Sequence, residues 1–214
     1  MLHKSMRDSV VLIVGIAIGA ALAFAQSQPP RSLGGDLRIM GFTLGKSTLA
    51  DVQAKLGKSA IIKCSHEEEA SNEVCYASAA KDQTKVVFEA GFSGGWKELD
   101  GYKVMSGSVE RRCYRQCPRA VQVTSNVQTE GGLKLGLAPE QLITLLGAPD
   151  QIRGNKLSFR WQSRQAMTKE QIEGESRTFR SPVTDPHYDV QDTIDVTLAD
   201  SKVVEFEVHH IVTY

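Results

Sequence analysis

Four cysteines, Cys64, Cys75, Cys113 and Cys117, are the residues of this chain best suited to covalent chemistry. In an oxidising compartment an even number of cysteines favours disulfides, and four permit three pairings. A zinc site built from all four is an alternative, although neither close pair has the usual Cys-x-x-Cys spacing. Thiol-redox chemistry at Cys113 and Cys117 is another, since neighbouring arginines lower a thiol pKa, but the thioredoxin-type motif is absent. We therefore expect disulfides.

The segment 41–47, Gly-Phe-Thr-Leu-Gly-Lys-Ser, is close to a phosphate-binding loop. Such a loop needs four residues between the first glycine and Gly-Lys-Ser/Thr, so that successive backbone N–H groups point at the phosphates. This segment is one residue short. It is better interpreted as a loop that leads into a capped helix, and we expect no nucleotide cofactor.

The histidines do not form a recognisable catalytic pattern. His209 and His210 are adjacent on a predicted strand, so their side chains point to opposite faces and do not bind one metal together. His187 lies in a predicted loop beside Asp185 and Asp189, without a further partner that the sequence identifies. Neither Gly-x-Ser-x-Gly nor His-Glu-x-x-His occurs. The sequence thus predicts no catalytic residue, cofactor or metal, and we expect a protein that is not an enzyme.

Recognition of another protein is the remaining chemistry. The loop 91–96 holds two aromatic residues among glycines, and the segment 111–119 is rich in arginine. Aromatic and arginine side chains are the usual anchors of protein interfaces. The alternatives are that the aromatics fold back over their own sheet and that the arginines are a solvated linker. The predicted partner-binding residues are Phe92, Trp96, Tyr102, Arg111, Arg112 and Arg115.

The N-terminus has the order of a secretory signal peptide. Lys4 and Arg7 precede the apolar run 10–24, which ends in Ala-Phe-Ala. We predict cleavage after Ala25, and hence a periplasmic or secreted protein without a stable membrane span. The alternative is an uncleaved N-terminal anchor.

The charges nearly balance. Residues 1–25 hold two of the 25 basic and one of the 25 acidic side chains, which leaves 23 and 24. Nucleic-acid and anionic-membrane binders depend on excess positive charge, so we expect no nucleic-acid partner.

An internal duplication predicts the positions of two helices. From Thr48 the copies align at an offset of 90 residues, which pairs Asp51 with Gln141 and Gly57 with Gly147. In the first copy Thr48 and Asp51 are spaced as a capping box, and in the second Pro139 falls at the first helical position. Glycine then ends each helix. Apolar stripes follow helical spacing in both copies, at Leu49, Val52 and Leu56 and at Leu142, Leu145 and Leu146.

Strand-like segments follow each helix. They are 60–64, 74–77, 85–90 and 102–111 in the first copy, and 156–162, 193–198 and 202–212 in the second, with 164–187 as a long polar connection. Helix first and antiparallel strands after, twice, predicts an α+β fold of two tandem repeats, each a short helix pair on a sheet of about four strands. The predicted divisions are signal peptide 1–25, flexible lead-in 26–36, first repeat 37–119, linker 120–132 and second repeat 133–214.

The repeated signature resembles a known helix pattern. Gly41-Phe42-Thr43, Asp51-Val52 and Leu56-Gly57, with their counterparts up to Pro149, look like the signature shared by the tandem β-lactamase inhibitor protein and the small lipoprotein of the outer-membrane β-barrel assembly machine. This resemblance implies helices packed on antiparallel sheets, and a role in binding other proteins. Cys64 and Cys75 resemble the hairpin disulfide of the inhibitor's first repeat, so we expect them to pair, with Cys113 bonded to Cys117.

Together these features predict an exported, non-catalytic protein-binding module. An envelope assembly or scaffolding adaptor is the first hypothesis, with another envelope or secreted protein as partner. A secreted or periplasmic enzyme inhibitor is the second, and a thiol-redox or metal-dependent enzyme is the third.

Overall fold

Two short helices begin and end where the sequence predicts. The computed structural model describes residues 33–63, 71–91, 97–107 and 112–213, so the predicted signal peptide lies outside the described residues. Helix α1 (Leu49–Leu56) is capped by Thr48, whose N–H donates to Asp51 Oδ2 over 2.8 Å and whose Oγ1 accepts the Asp51 N–H over 3.2 Å. These bonds satisfy backbone groups that the first helical turn leaves unpaired. The predicted capping box is confirmed.

Helix α2 (Pro139–Leu146) solves the same problem with different residues. Pro139 is the first helical residue, and Gln141 Oε1 accepts the Ala138 N–H over 2.9 Å. Gly57 and Gly147 end the two helices with φ of 99° and 87°, in the region that only glycine adopts without strain. The predicted start and end of both helices are therefore confirmed.

One large sheet contains most of the strands. Its order is β6-β3-β4-β5-β10-β9-β8-β7, and every neighbouring pair is antiparallel except β3 and β6, which are parallel. The strands are β3 (Asn72–Ser78), β4 (Lys85–Ala90), β5 (Leu99–Met105), β6 (Arg119–Ala120), β7 (Gln151–Arg153), β8 (Lys156–Ala166), β9 (His187–Ala199) and β10 (Lys202–Thr213). A separate two-stranded hairpin joins β1 (Arg38–Ile39) to β2 (Phe42–Thr43).

The protein is thus α+β, as predicted, but the sheet is continuous. The two predicted repeats contribute neighbouring strands to it, because β5 pairs with β10 from Gly101 opposite His209 to Met105 opposite Glu205. Pairing of these strands satisfies backbone groups that would otherwise lie on two open edges. In the described part of 37–119, α1 is the single α-helix, whereas a helix pair was expected.

Two segments differ from their predicted structure. Residues 60–63 form no strand, and Ile62 makes only an isolated bridge with Glu73. The predicted polar connection 164–187 instead holds the end of β8, helix α3 (Lys169–Phe179) and the start of β9. Thr168 caps α3, since its Oγ1 accepts the Gln171 N–H over 3.3 Å. The helix was missed because its sequence has few apolar residues, and it is capped rather than buried.

The core lies between one face of the sheet and the two short helices. We call this side of the sheet the apolar face. Val52 and Leu56 of α1 and Leu142 and Leu146 of α2 are buried in a single cluster with strand residues such as Val74, Phe88, Val104, Phe159, Ile194 and Phe206.

Among the described residues, no helix is long and apolar enough to cross a bilayer.

The disulfide pairing differs from the one we expected. Cys75 is bonded to Cys117, with 5.2 Å between their Cα atoms, and Cys113 is also in a disulfide, so pairing of Cys75 with Cys64 and of Cys113 with Cys117 is wrong. The parallel register of β3 and β6 explains this. Ala77 lies opposite Arg119, and two residues earlier on each side the same register sets Cys75 beside Cys117.

Candidate binding face

The side of the sheet opposite the helices is polar, and we call it the polar face. Side chains alternate along each strand, so Glu89 of β4, Lys103 of β5, Glu207 of β10, Asp195 of β9 and Ser158 of β8 share this side. The register sets Lys103 directly opposite Glu207, and Glu207 opposite Asp195. The polar face therefore carries a row of charges across the middle of the sheet.

A buried ion network lies at the centre of the polar face. The side chain of Lys103 is 5% exposed, and its Nζ lies 3.3 Å from Glu89 Oε1 and 2.9 Å from Glu207 Oε1. Burial of a charge is costly unless the charge is paired, and here each carboxylate contacts the ammonium. Lys103, Glu89 and Glu207 thus depend on one another.

His209 completes the network. Its Nε2 donates to Glu207 Oε1 over 2.9 Å, and its ring lies across Gly101, which pairs with His209 on one side and with Glu89 on the other. A Cβ added to Gly101 would lie only 2.8 Å from His209 Nδ1 and 3.3 Å from Glu89 Oε2. Glycine at position 101 is therefore what allows the imidazole to reach Glu207.

We expect Gly101→Ala to destabilise the protein by about 1–3 kcal/mol, since the added methyl group crowds His209. The matched control is Gly174→Ala in α3, where an added Cβ has no neighbouring atom within 4 Å. That control should stabilise the protein by about 0.5–1 kcal/mol, because alanine is the better helix former. Urea unfolding of the two variants measures both effects, and equal stabilities would contradict the crowding argument.

Tyr114 covers the network from one side. Its hydroxyl donates to Glu73 Oε2 over 2.8 Å, and Lys103 Nζ lies 5.9 Å from the centre of its ring. Cys75, Val87, Met105 and Tyr114 form a small apolar cluster on this part of the polar face. The Cys75 to Cys117 disulfide joins the strand beneath that cluster to the segment that carries Tyr114. One end of the polar face is therefore covered and cross-linked.

Burial and charge shift several pKa values in opposite directions. Burial raises the pKa of Glu89, and burial together with the charge of Glu89 raises that of Glu73. Burial alone would also raise the pKa of Glu207, but the hydrogen bond from His209 and the charge of Lys103 outweigh it and lower that pKa to about 2. Burial alone would lower the pKa of His209, whereas the bond to Glu207 raises it. The close pair of His209 and Glu207 therefore favours the ionised form of both groups.

His209 should titrate above the ordinary histidine value of about 6.5. Its stabilising contribution is then fully present below the unfolded pKa and is lost as the pH rises through the folded pKa. NMR titration of the imidazole measures this pKa directly. We expect Glu207→Gln to lower it, and Asp189→Asn, on the same face at the far end of β9 where Asp189 pairs with Thr213, to leave it unchanged. A His209 pKa that is the same in wild type and Glu207→Gln would contradict the assignment.

The same network has the composition of a metal site. One ligand atom each from Glu89, Glu207 and His209 lie within 4.8 Å of one another. Lys103 Nζ already contacts both carboxylates, so a metal ion would have to displace a buried ammonium. The two carboxylates are balanced by Lys103 and protonated His209, and this arrangement fits an internal ion network better than a metal centre.

A groove of about 280 Å³ lies beside the network on the uncovered part of the polar face. Arg153, Lys156 and Arg160 line one part of it, and Asp195, Glu205 and Glu207 line another. The positive side chains come from β7 and β8, while the negative ones come from β9 and β10. The groove therefore has walls of opposite charge, which is an arrangement that suits a polar protein surface.

A smaller pocket of about 160 Å³ lies on the apolar side, next to α3. His210 lines it, and His210 Nδ1 lies 2.6 Å from Asp192 Oδ1. Glu98, Asp100 and Tyr188 are also in its lining, and Tyr188 donates from its hydroxyl to Glu175. A histidine bonded to a carboxylate is suited to proton transfer, but the described lining residues include no serine, threonine or cysteine, and the Tyr188 hydroxyl is bonded to Glu175.

His209 and His210 lie as the sequence predicts, whereas His187, which was predicted in a loop, is the first residue of β9. His209 contacts the ion network and His210 the pocket beside α3, so the two adjacent side chains are on opposite faces. His187 Nδ1 lies 2.9 Å from Asp185 Oδ1 in an exposed position.

The loop before α1 uses its own backbone donors. The Gly45 N–H donates to Leu99 O over 2.7 Å, and the N–H groups of Lys46 and Ser47 both donate to Thr43 O. The Thr48 N–H is bonded to Asp51. These donors are not free for phosphate, which agrees with a loop that leads into a capped helix.

The predicted partner-binding residues are not brought together in the described residues. Phe92, Trp96 and Arg111 lie outside them, Arg112 is in a short 3-10 helix, and Arg115 is exposed. Tyr102 is fully buried on the apolar face, and its hydroxyl donates to the Asp36 carbonyl. Its prediction as a partner-binding residue is therefore wrong, because the side chain packs in the core and has no exposed surface.

Sequence reasoning missed the ion network. A signal was present, since Glu89 follows Val86-Val87-Phe88 and Lys103 lies between Tyr102 and Val104. A charge inside an apolar strand indicates either an exposed face or a buried partner. The partners come from three strands, of which β10 is distant in sequence from β4 and β5, and register alone reveals them.

No protein-family model matches the chain, and comparisons with curated proteins and with solved structures find no similar protein.

Proposed function

We propose that this protein is an exported, non-catalytic module that binds another protein through the polar face of its sheet. The observation that carries the proposal is the groove whose walls have opposite charge, with Arg153, Lys156 and Arg160 facing Asp195, Glu205 and Glu207. Charges arranged in this way favour one docking orientation and disfavour others. The buried ion network beside the groove, and the disulfide at the covered end of the same face, support a rigid surface, which lowers the entropy cost of binding.

An envelope assembly or scaffolding adaptor is the form of this function that we favour. The signal-like N-terminus supports export to the periplasm or beyond, and the disulfides support an oxidising compartment. The resemblance of the helix signature to the tandem β-lactamase inhibitor protein and the small outer-membrane assembly lipoprotein supports protein binding. A secreted enzyme inhibitor remains the second candidate, because a sheet face is also suited to covering an active site.

We also propose that the chain is a tandem duplication, with repeats at 37–119 and 133–214. Helices α1 and α2 each have eight residues, begin at equivalent caps and end at equivalent glycines. The sheet order, in which β3-β4-β5 is followed by β10-β9-β8, supports two similar halves that meet where β5 pairs antiparallel with β10. A twofold relation between the halves would produce this reversal.

Affinity capture from an envelope extract tests the function. We expect wild-type protein to retain a defined partner, and the double variant Arg153→Glu/Arg160→Glu to lose most of it, because reversed charges at the groove repel the surface that it fits. Lys58→Glu/Lys81→Glu is the matched control, since both lysines are exposed and neither lines the groove. A separate Trp96→Ala variant tests the predicted loop anchor. Equal capture by the groove variant and the control would contradict docking at the polar face.

A further inference from the structure

Strand β8 is much longer than its outer neighbour. It pairs with β9 along its whole length, from Lys156 opposite Thr197 to Ala166 opposite His187. On its other side β7 pairs only with residues 156–158. Among the described residues, 159–166 therefore have a strand partner on one side only.

The hydrogen bonds show which backbone groups face outward. The Asp150 N–H donates to Ser158 O over 2.9 Å, and the Arg160 N–H donates to the Asp150 side chain over 2.6 Å, so these even-numbered residues point away from β9. The Met167 N–H donates to Pro186 O, so the backbone groups of the odd-numbered residues point inward, toward β9. The direction of the backbone N–H and C=O groups alternates along a strand. The outward groups that Asp150 does not bond are therefore those of Gln162, Arg164 and Ala166, together with the carbonyl of Arg160.

These outward groups are exposed donors and acceptors. In the part of the chain that the structure describes, the backbone N–H and C=O groups of Gln162, Arg164 and Ala166 make no hydrogen bond on that side, and all three residues are exposed. The other end of the sheet differs. There β6 has only two residues, Ile62 bridges to Glu73, and Cys75 of β3 is cross-linked to Cys117. The edge of β8 is therefore the longer template for an added strand.

The side chains at this edge indicate what would bind. On the polar face Arg160 is exposed and close to Lys156 and Arg153, which line the same groove. Arg164 already contacts Asp185 and Asp189, which leaves Arg160 as the stronger attraction for a negative charge. On the apolar face Trp161 is half-buried and stacks on Phe159, with ring centres 6.3 Å apart. An added strand would meet a cation on one side and an aromatic surface on the other.

A second copy of this chain fits the edge poorly in the register centred on Gln162. Antiparallel pairing of two β8 strands centred on Gln162 would set Arg160 opposite Arg164 twice. Like charges directly opposite each other destabilise a strand pair.

We propose that the edge of β8, residues 160–166, receives an extended segment of a partner protein by β-strand addition, with an acidic side chain opposite Arg160 and apolar side chains toward Trp161. The backbone of the added segment supplies the hydrogen bonds, and alternate side chains supply the specificity. This inference rests on the proposed protein-binding function and adds a binding mode and a partner class to it.

The experiment is an NMR titration of the protein with the capped peptide Thr-Val-Thr-Val-Thr-Val-Glu. Antiparallel addition sets Glu opposite Arg160 and the threonines opposite Gln162, Arg164 and Ala166. We expect saturable shifts of the amide signals of Gln162 and Arg164. A peptide with Lys in place of Glu, and one N-methylated at the residues that face β8, should each bind at least about tenfold more weakly, through repulsion and loss of hydrogen bonds respectively.

Two variants at one position separate the backbone from the side chain. Gln162→Pro removes an outward N–H at an edge, where proline is tolerated, and should bind the peptide about tenfold more weakly or worse. Gln162→Ala keeps the N–H and should bind like wild type. Undiminished binding by Gln162→Pro, equal binding of the N-methylated peptide, or self-association of the wild type that Gln162→Pro abolishes would each overturn the inference.

Capture from envelope extract distinguishes failure of the strand-addition inference from failure of the proposed protein-binding function. Loss of the partner by Gln162→Pro but not by Gln162→Ala supports the inference. A partner that both variants retain equally would refute strand addition while leaving the proposed function intact. A wild-type protein that captures no partner would refute the proposed function itself.

Discussion

Replacing Lys103 by methionine is expected to destabilise the folded protein by about 3–5 kcal/mol, the usual cost of removing one partner from a buried ion pair. Methionine keeps most of the side-chain volume but leaves Glu89 and Glu207 without the ammonium that contacts both. Neither carboxylate can turn fully to solvent, because their side chains are only 8% and 24% exposed. The loss therefore comes from uncompensated buried charge and not from a cavity.

Urea unfolding at neutral pH measures this loss. Lys156→Met is the matched control, since Lys156 is exposed on the same face and its removal should change stability by less than about 0.5 kcal/mol. If the two variants unfold at the same urea concentration, the ion network contributes nothing to stability and our description of it is wrong.

Acid should reduce the difference between Lys103→Met and wild type. Glu207 has a folded pKa of about 2, below its ordinary value, so its stabilising contribution is present above the unfolded pKa and is lost as the pH falls toward 2. Wild type then loses the benefit that the variant already lacks. The stability gap should therefore narrow as the pH falls below about 4.5, and a constant gap would contradict the charge argument.

Removing the Cys75 to Cys117 disulfide should also have a large effect. The two cysteines are 42 residues apart, so the bond closes a long loop in the unfolded chain. We expect Cys75→Ala/Cys117→Ala to lose about 2–4 kcal/mol, mainly because the unfolded state gains conformational freedom. Thermal or urea unfolding of the oxidised proteins measures the loss.

Peptide mapping provides the independent check of that pairing. Proteolysis without reductant should release a cross-linked pair of peptides that holds residues 75 and 117, and reductant should separate them. Ala199→Ser, an exposed substitution distant from the cross-link, is the control, and it should release the same cross-linked peptides as wild type. A cross-linked pair with residues 64 and 75 would instead support the pairing expected from the family resemblance.

The helices illustrate what local sequence can determine. Thr48 and Asp51 are three residues apart, and Gly57 and Gly147 follow directly after their helices, so every interaction that starts or stops α1 and α2 is local. Helix α3 was missed for the opposite reason. Its cap is local too, but it has no buried residue, and its few apolar residues form no stripe like those of α1 and α2.

The polar face illustrates what local sequence cannot determine. Glu89, Lys103 and Glu207 come from three strands, and Arg160 lies on a fourth that β7 leaves largely uncovered. The prediction of Tyr102 at an interface failed because a tyrosine on a strand can face either side, and burial depends on what packs there.

By itself the sequence determined the α+β class, the bounds of two capped helices and the opposite orientations of His209 and His210, since each depends on spacing within a few residues. The tertiary structure decided the single sheet, the pairing of Cys75 with Cys117, the ion network and the open edge of β8. The physical reason is strand register, which joins residues distant in the chain and exchanges the two faces of a strand when it shifts by one residue.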